Sequence, residues 1–291
     1  MIVVRLLGGL GNQMFQYAAG RRAALVRQLP LVLDRSAFQP HSHRAYGLTG
    51  LQVEETFATP AQLREIHGPP RGPGRIGHRL RRRFRIGYRW TWIREDRLSP
   101  VDHRVLAARA YSYLDGYWQS EKYFAEIAET IRRDFTFRRP LEPPATAIAD
   151  RIAATEAVSV HVRRGDYVTN PRTNRAHGIC SVDYYREAAQ RIASRVSHPH
   201  FFLFSDDPDW VAANLRLGHP TTLVSHEGAD QYQDLELMSR CRHHIIANSS
   251  YSWWGAWLNQ RPDKMVLAPA RWGNDPGWDD RDLLPASWIR I

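Results

Sequence analysis

Val158-Ser159-Val160-His161-Val162-Arg163-Arg164-Gly165-Asp166-Tyr167 is the stretch whose reading decides the fold. Side chains alternate between the two faces of a strand, so Val158, Val160 and Val162 line one face while His161 and Arg163 share the other. The two polar groups therefore stand at the carboxyl end of a buried strand. A guanidinium there suits a diphosphate, because its planar fork makes bidentate contacts and stays charged at any working pH. A plainer arrangement uses the same letters: a surface pair of Arg164 with Asp166 beside a hydrogen-bonded His161.

Downstream, Phe201 to Ser205, Thr221 to Ser225, His243 to Ala247 and Met265 to Ala268 also read as strands. Helical patterns separate them at Asp183 to Arg195, Pro208 to Leu215, Gln231 to Cys241 and Ser252 to Gln260. Strands alternating with helices predict a doubly wound parallel sheet whose ligands sit at the strands' carboxyl ends. Upstream, the proline-rich run Arg139-Pro140-Leu141-Glu142-Pro143-Pro144 reads as a linker between a domain of residues 1–140 and one of residues 141–291. The first domain is α/β as well. Ile2 to Leu7 reads as a strand, Gln13 to Arg27 as a helix, Leu31 to Asp34 and Tyr111 to Trp118 as strands, and Glu121 to Arg133 as a helix. Pro40 to Pro100 reads as irregular.

Three further constellations sit where such sheets present ligands. Gly8-Gly9-Leu10-Gly11-Asn12-Gln13 joins a strand to a helix, where Gly9 and Gly11 let backbone approach an anion at the helix N-terminus. It lacks the third glycine of a dinucleotide fingerprint and the lysine of a Walker loop, and a tight turn explains it equally well. In Phe204-Ser205-Asp206-Asp207-Pro208-Asp209, the letters Asp207-Pro208-Asp209 imitate a metal-binding pair of aspartates. A helix cap at Asp207 with Pro208 in the first helical position is the preferred reading. Ser205 and Asp206, at the strand end, remain candidates for nucleotide or sugar hydroxyls. In Asn248-Ser249-Ser250, small polar residues open a helix, either as caps or as hydroxyls and N–H groups around a phosphate. His243 and His244 are neighbours on a strand, so they face opposite ways and do not form a metal pair.

The net charge of +10 raises the question of nucleic acid. Between Arg71 and Arg97, ten arginines face only Glu95 and Asp96, so the basicity belongs to one segment and not to the fold. Interleaved with Phe84, Ile86, Tyr88, Trp90 and Trp92, that segment is read as a surface for anionic lipid or an anionic acceptor, or else as plain solvated surface. Two cysteines, Cys180 and Cys241, are too few for a disulfide framework and are expected reduced. No apolar run is long enough for a bilayer span or has the build of a signal peptide, so a cytoplasmic protein is expected, with contact to the inner membrane face through 71–97.

Taken together, the blocks Gly8 to Ala18, His161 to Tyr167, Phe204 to Asp207 and Asn248 to Trp257 resemble, in order, the α-1,2-fucosyltransferase family. That resemblance implies a GT-B-like α/β fold, two Rossmann-like domains facing a cleft. It also implies inverting transfer of L-fucose from GDP-fucose to a galactoside hydroxyl, in surface polysaccharide or O-antigen synthesis, with no metal and no other cofactor. The acceptor would be a galactose-terminated glycan or a lipid-linked oligosaccharide. Arg163 then matches the arginine holding the donor diphosphate, with Arg164 and His161 beside it. Asn12, on the loop with Gly9, Gly11 and Gln13, matches the asparagine reaching the sugar-phosphate end. Ser249 and Ser250 match a phosphate-binding turn after Asn248, and Asp206, next to Ser205, a nucleotide or sugar contact. A carboxylate must deprotonate the acceptor, and Asp166 is the first choice. The motifs bind nucleotide and diphosphate, so another GDP-sugar such as GDP-rhamnose is the alternative donor. A nucleic-acid-binding protein is the remote one.

Overall fold

Parallel strands need crossovers of a dozen or more residues, and the chain supplies them twice over. The computed structural model describes residues 1–39, 44–68, 77, 88–95, 97–224 and 230–291. These form two compact units: Met1–Thr136 with Arg281–Leu283, and Phe137–Asp280 with Leu284–Ile291.

The first unit carries β1 (Ile2–Arg5), β2 (Leu31–Asp34), β3 (Thr91–Arg94) and β4 (Ser112–Asp115), all parallel, in the order β2-β1-β4-β3. The helix Leu10–Val26 crosses from β1 to β2 and is buried nearly all round. It lies so close to β1 that a Cβ on Gly20 would stand 2.1 Å from Val4 Cγ2. Its inner polar residues are paired. Tyr17 and Arg21 each donate to the buried carboxylate of Asp134 at 2.9 Å, and Arg21 reaches Glu54 at 2.5 Å.

The described residues between 44 and 95 carry more regular structure than their composition suggests. Thr59 and Gln62 form a reciprocal capping box that starts the helix Pro60–His67, with Pro60 in its first turn. Thr91–Arg94 is an edge strand. Trp90 is 3% exposed, and Tyr88 and Trp92 pack with it against Val3, Val32, Ile66 and Tyr113. Three of the five apolar residues read as facing lipid or acceptor therefore pack into or against the core. Arg71, Arg75, Arg79, Arg81, Arg82, Arg83 and Arg85 lie outside the described residues, as do Phe84 and Ile86. The stretch after Glu121 also departs from a single helix: two 3-10 turns, Glu121–Tyr123 and Ala125–Ile127, precede the helix Ala128–Asp134.

The second unit carries β5 (Glu156–Val162), β6 (Pro199–Ser205), β7 (Thr221–Leu223), β8 (His243–Ile245), β9 (Val266–Ala268) and β10 (Ile289–Arg290), again all parallel, in the order β10-β9-β8-β5-β6-β7. Val158, Val160 and Val162 enter a core with Phe201, Leu203, Ile245 and Leu267, covered by Tyr185, Ala188 and Ile192 of the helix Val182–Ala193. Of the run read as linker, Pro143 and Pro144 open the helix Pro143–Ala153, at whose start a missing N–H costs nothing, while Pro140 lies before it. In each sheet the first strand in sequence lies inside, with later strands added on both sides. That is the Rossmann-like plan, whose ligands sit outside the carboxyl ends where the order reverses. The reversals fall between β1 and β4 and between β5 and β8.

Candidate functional site

Past the reversal point of the second sheet, β5 ends at Val162 and Arg163 begins the turn. The β5–β6 register, His161 to Phe204 and Val162 to Ser205, brings Asp206 beside it. Arg163 Nη1 lies 2.6 Å from Asp206 Oδ2, and its Nη2 donates to Asp166 Oδ1. The guanidinium also stands 5.3 Å from the Tyr167 ring centroid. Two carboxylates thus fix a fork that remains partly open, at 21% side-chain exposure.

Asp206 has a second duty. Its Oδ1 accepts the Arg164 backbone N–H at 2.8 Å, which pins the turn. The turn passes so near that a Cβ on Gly165 would stand 2.4 Å from Asp206 Oδ2. Arg164 points elsewhere: its Nε donates to Asp207 at 2.9 Å and its guanidinium lies 3.7 Å over the Trp210 ring. The Arg164–Asp166 pair is therefore replaced by Arg163–Asp166 and Arg164–Asp207. Asp207 caps the helix Pro208–Asn214, accepting from Trp210 N–H at 3.2 Å. Ser205 Oγ donates to Val162 C=O at 2.8 Å and accepts Asp207 N–H at 3.0 Å, lacing β6 to β5.

His161 is 5% exposed, its ring 5.6 Å from that of Tyr251. Among the described residues its Nδ1 has no hydrogen-bond partner. Burial, and then the Arg163 charge, push its pKa down to about 3, so it is neutral at working pH. Across the sheet reversal, Asn248 follows β8. It is buried, with its amide donating to His177 C=O at 2.9 Å and Trp272 C=O at 3.3 Å, and it therefore braces loops. Ser249 precedes the helix Ser250–Leu258, yet its hydroxyl makes no capping hydrogen bond. Ser250, in the first turn, is partly exposed. The capping explanation for Ser249 thus fails at the level of its side chain.

In the first unit, Gly8 adopts φ +80°, in the left-handed region, and a side chain there would meet Asn12 Nδ2 at 2.7 Å. Gly9 precedes the helix Leu10–Val26 and Gly11 lies in its first turn, fully buried. Asn12 Oδ1 accepts from Gln119 Nε2 at 2.7 Å. Gln13 is fully buried: its amide donates to Gly8 C=O at 2.9 Å and Ala45 C=O at 3.0 Å, and its oxygen accepts Gly47 N–H at 2.8 Å. Gln16 does the same between Leu7 N–H (3.0 Å) and Gly116 C=O (3.1 Å). Both glutamines hold the glycine loop to its neighbours. Gln16, Gly116 and Gln119 were not singled out in the sequence. A glutamine three residues after another on a buried helix face was the available signal.

Among the described residues, no cluster of three or more His, Cys, Asp or Glu is placed to hold a metal ion. No helix of the described chain is long and apolar enough to cross a membrane.

Buried neutral histidines give the second unit an acid limit. Asn259 Nδ2 lies 2.8 Å from His244 Nε2, and the Asn259 oxygen is fixed by Arg261 N–H at 2.9 Å. His244 Nε2 therefore accepts, and its Nδ1–H donates to Ser159 Oγ at 2.8 Å. Burial lowers the pKa of both His161 and His244. The unfolded chain then binds protons that the folded one refuses below the ordinary histidine value of about 6.5. Stability should be full above that value and fall as pH drops, by about 1.4 kcal/mol per unit for each histidine kept neutral. Asp34, held near a pKa of about 2 by His67, Tyr113 and Ser36 against the penalty of burial, loses its contribution only at lower pH. Urea midpoints at pH 7 and pH 5 separate the windows. A clear drop at pH 5 is expected; equal midpoints would contradict it.

Residues 94–291 match the family described as Glycosyl transferase family 11. Over 294 aligned residues the chain is 33% identical to an alpha-1,2-colitosyltransferase of Escherichia coli, covering 100% of this chain and 99% of that one. It is 32% identical to the O-antigen biosynthesis glycosyltransferase WbnK of Escherichia coli, over 98% and 99% of the two chains. A substituted form of Arabidopsis thaliana FUT1, solved with GDP, shares the fold with a TM-score of 0.51 at 11% identity, over 91% of this chain and 69% of that one. Two Rossmann-like α/β units of this kind make a GT-B-like fold. The chain belongs to glycosyl transferase family 11.

Proposed function

We propose that this enzyme transfers L-fucose from GDP-fucose to a galactoside hydroxyl, forming an α-1,2 linkage with inversion and without a metal. The observation that carries the reading is Arg163, an oriented guanidinium at the reversal point of the second sheet, with the Ser249 turn following the neighbouring strand β8. Breaking a sugar–diphosphate bond develops an oxocarbenium-like centre and a negative leaving group. In the second unit, Arg163 and the Ser249–Ser250 helix start are a fixed positive group and a dipole suited to that charge. Within the first unit, the Gly9–Gly11 loop with Asn12 offers a helix N-terminus of the same kind. Since Asp166 already accepts from Arg163, we assign it to orienting that fork. Gln13, Ser205 and Asn248 shape the loops that bind the donor. The acceptor is a galactose-terminated glycan or a lipid-linked oligosaccharide, and the basic composition of the run 71–97 suits contact with an anionic membrane face.

A second reading differs in the donor sugar. A relative named for colitosyl transfer favours it, because the groups above engage diphosphate and not sugar. A donor panel of GDP-fucose, GDP-rhamnose and the colitosyl donor separates the two, run with a galactoside in excess EDTA and with product linkage read by NMR. An α-1,2-fucosyl product formed fastest from GDP-fucose is expected. Preference for another donor would replace the fucosyl assignment, and activity lost in EDTA but restored by Mg²⁺ or Mn²⁺ would overturn the metal-free mechanism.

A further inference from the structure

Inverting transfer needs a base for the acceptor hydroxyl, and the first unit holds a carboxylate built as one. From its geometry, and resting on the transferase reading above, we infer that Glu95 takes the acceptor's proton while Tyr117 supplies the face on which the acceptor sugar stacks.

Glu95 directly follows β3, at the carboxyl end of its sheet. Its Oε2 accepts two successive backbone N–H groups, from Tyr117 at 2.6 Å and Trp118 at 3.2 Å. Successive N–H groups converging on one oxygen form a concave anion cradle. Trp118 reaches it only by adopting φ 54°, a left-handed conformation unfavourable for a bulky residue and held by complete burial. Gly116 lets the strands' two loops touch, since a Cβ there would stand 2.6 Å from Glu95 Cβ. One carboxylate oxygen is thereby locked, while among the described residues Oε1 has no hydrogen-bond partner.

The same loop is tied to the glycine loop of β1. Gln16 donates to Gly116 C=O at 3.1 Å and Gln119 to Asn12 Oδ1 at 2.7 Å. Glu95, Tyr117 and Asn12 therefore belong to one braced edge of the first unit. Tyr117 is 40% exposed, an aromatic surface with no packing role large enough to hide it. Burial raises the Glu95 pKa, and Asp102 adds to it against the pull of the two N–H groups. The other groups facing it are the phenols of Tyr117 and Tyr123. A carboxylate with raised proton affinity is the better general base near neutral pH.

The step balances simply. The acceptor oxygen bonds to the sugar's anomeric carbon, its proton passes to Glu95 Oε1, and the anomeric carbon–phosphate oxygen bond breaks with its electron pair leaving on GDP.

The test uses the full chain and the donor that the wild-type enzyme turns over. Glu95→Gln keeps an oxygen for both N–H groups, so the fold and GDP affinity should persist. Its kcat should fall by about 10²-fold or more, the usual scale for a general base. The acid limb of the wild-type kcat/KM profile, where activity declines as Glu95 protonates, should vanish from the residual activity. Tyr117→Ala should raise acceptor KM with GDP affinity unchanged. A folded Glu95→Gln enzyme with near-normal kcat, or one that keeps the acid limb, would overturn the assignment. If Glu95→Gln fails to fold, Tyr117→Ala decides, and an unchanged acceptor KM would sink the placement. A wild-type chain that turns over no GDP-sugar defeats the transferase reading itself, a separate outcome.

Discussion

Arg163→Lys is expected to fold normally, keep most GDP affinity and lose about 10²-fold in kcat, the scale of removing one donor that acts in the transition state. Arg163 lies beyond the end of β5 and is partly exposed, so the core does not depend on it. What depends on it is direction. Asp206 and Asp166 hold the two terminal nitrogens, so the planar group is oriented before any ligand arrives. Lysine restores one charge but only a point of it, and cannot meet both carboxylates and a leaving phosphate with a fixed fork. Arg163→Ala should lose more than Lys in kcat and also in GDP affinity, because Asp166 and Asp206 would then present unneutralised charge to a diphosphate. Arg164→Ala should be milder in kcat, since its guanidinium is committed to Asp207 and Trp210. The measurement is kcat and GDP affinity for the three variants, with circular dichroism to confirm folding. A folded Arg163→Ala enzyme with near-normal kcat would remove Arg163 from the mechanism.

The same two arginines show what a sequence can and cannot say. Alternation along β5 correctly assigned Val158, Val160 and Val162 to the core, because one face of a strand in a doubly covered sheet has no choice. It stops applying where the strand stops. Arg164 is turned by Asp207, 43 residues away in sequence, and that contact exists only through the β5–β6 register. Strand alternation carried past Val162 would set Arg164 on the face opposite Arg163; what the structure shows instead is a guanidinium paired with Asp207 and stacked on Trp210.

Long strand–helix alternation made five of the six described strands of the second unit readable, β10 being missed, whereas in the first unit β3 was not. Its four residues alternate Thr91 and Ile93 with Trp92 and Arg94, with Arg89 and Arg97 close by in sequence, and charge density masked the period. The aromatics looked like a lipid-facing stripe, but Trp92 packs against Tyr113 with ring centroids 4.6 Å apart. Tyr88, Trp90 and Trp92 share a spacing of two, and that spacing was the strand signal. Gln13 was equally opaque. Its motif placed it near a ligand loop, but the partners that absorb its amide, Ala45 and Gly47, come from a segment without regular structure of its own.

Gly165→Ala is expected to cost about 10- to 100-fold in kcat, although alanine is nearly the smallest change a chain can suffer. The backbone there has no need of glycine's left-handed freedom, so the cost has one source: the new Cβ would stand 2.4 Å from Asp206 Oδ2, far inside contact distance. That oxygen could swing aside in a free aspartate. Here it pairs with Arg163 at 2.6 Å while its sister oxygen holds Arg164 N–H at 2.8 Å, so moving it turns the Arg163 fork and loosens the turn together. Misplacement of a catalytic group by about 1 Å costs on the order of 10²-fold. Asp206→Ala should cause a loss of similar size by deleting the same support. The decisive measurement is the double variant. If Asp206 carries the damage, Gly165→Ala should change kcat less than about twofold once Asp206 is alanine, because the atom it strikes is gone; neighbours sharing one contact are not additive. Losses that simply multiply would show that Gly165 acts through something other than Asp206, and the mutual support drawn for Arg163 would have to be abandoned.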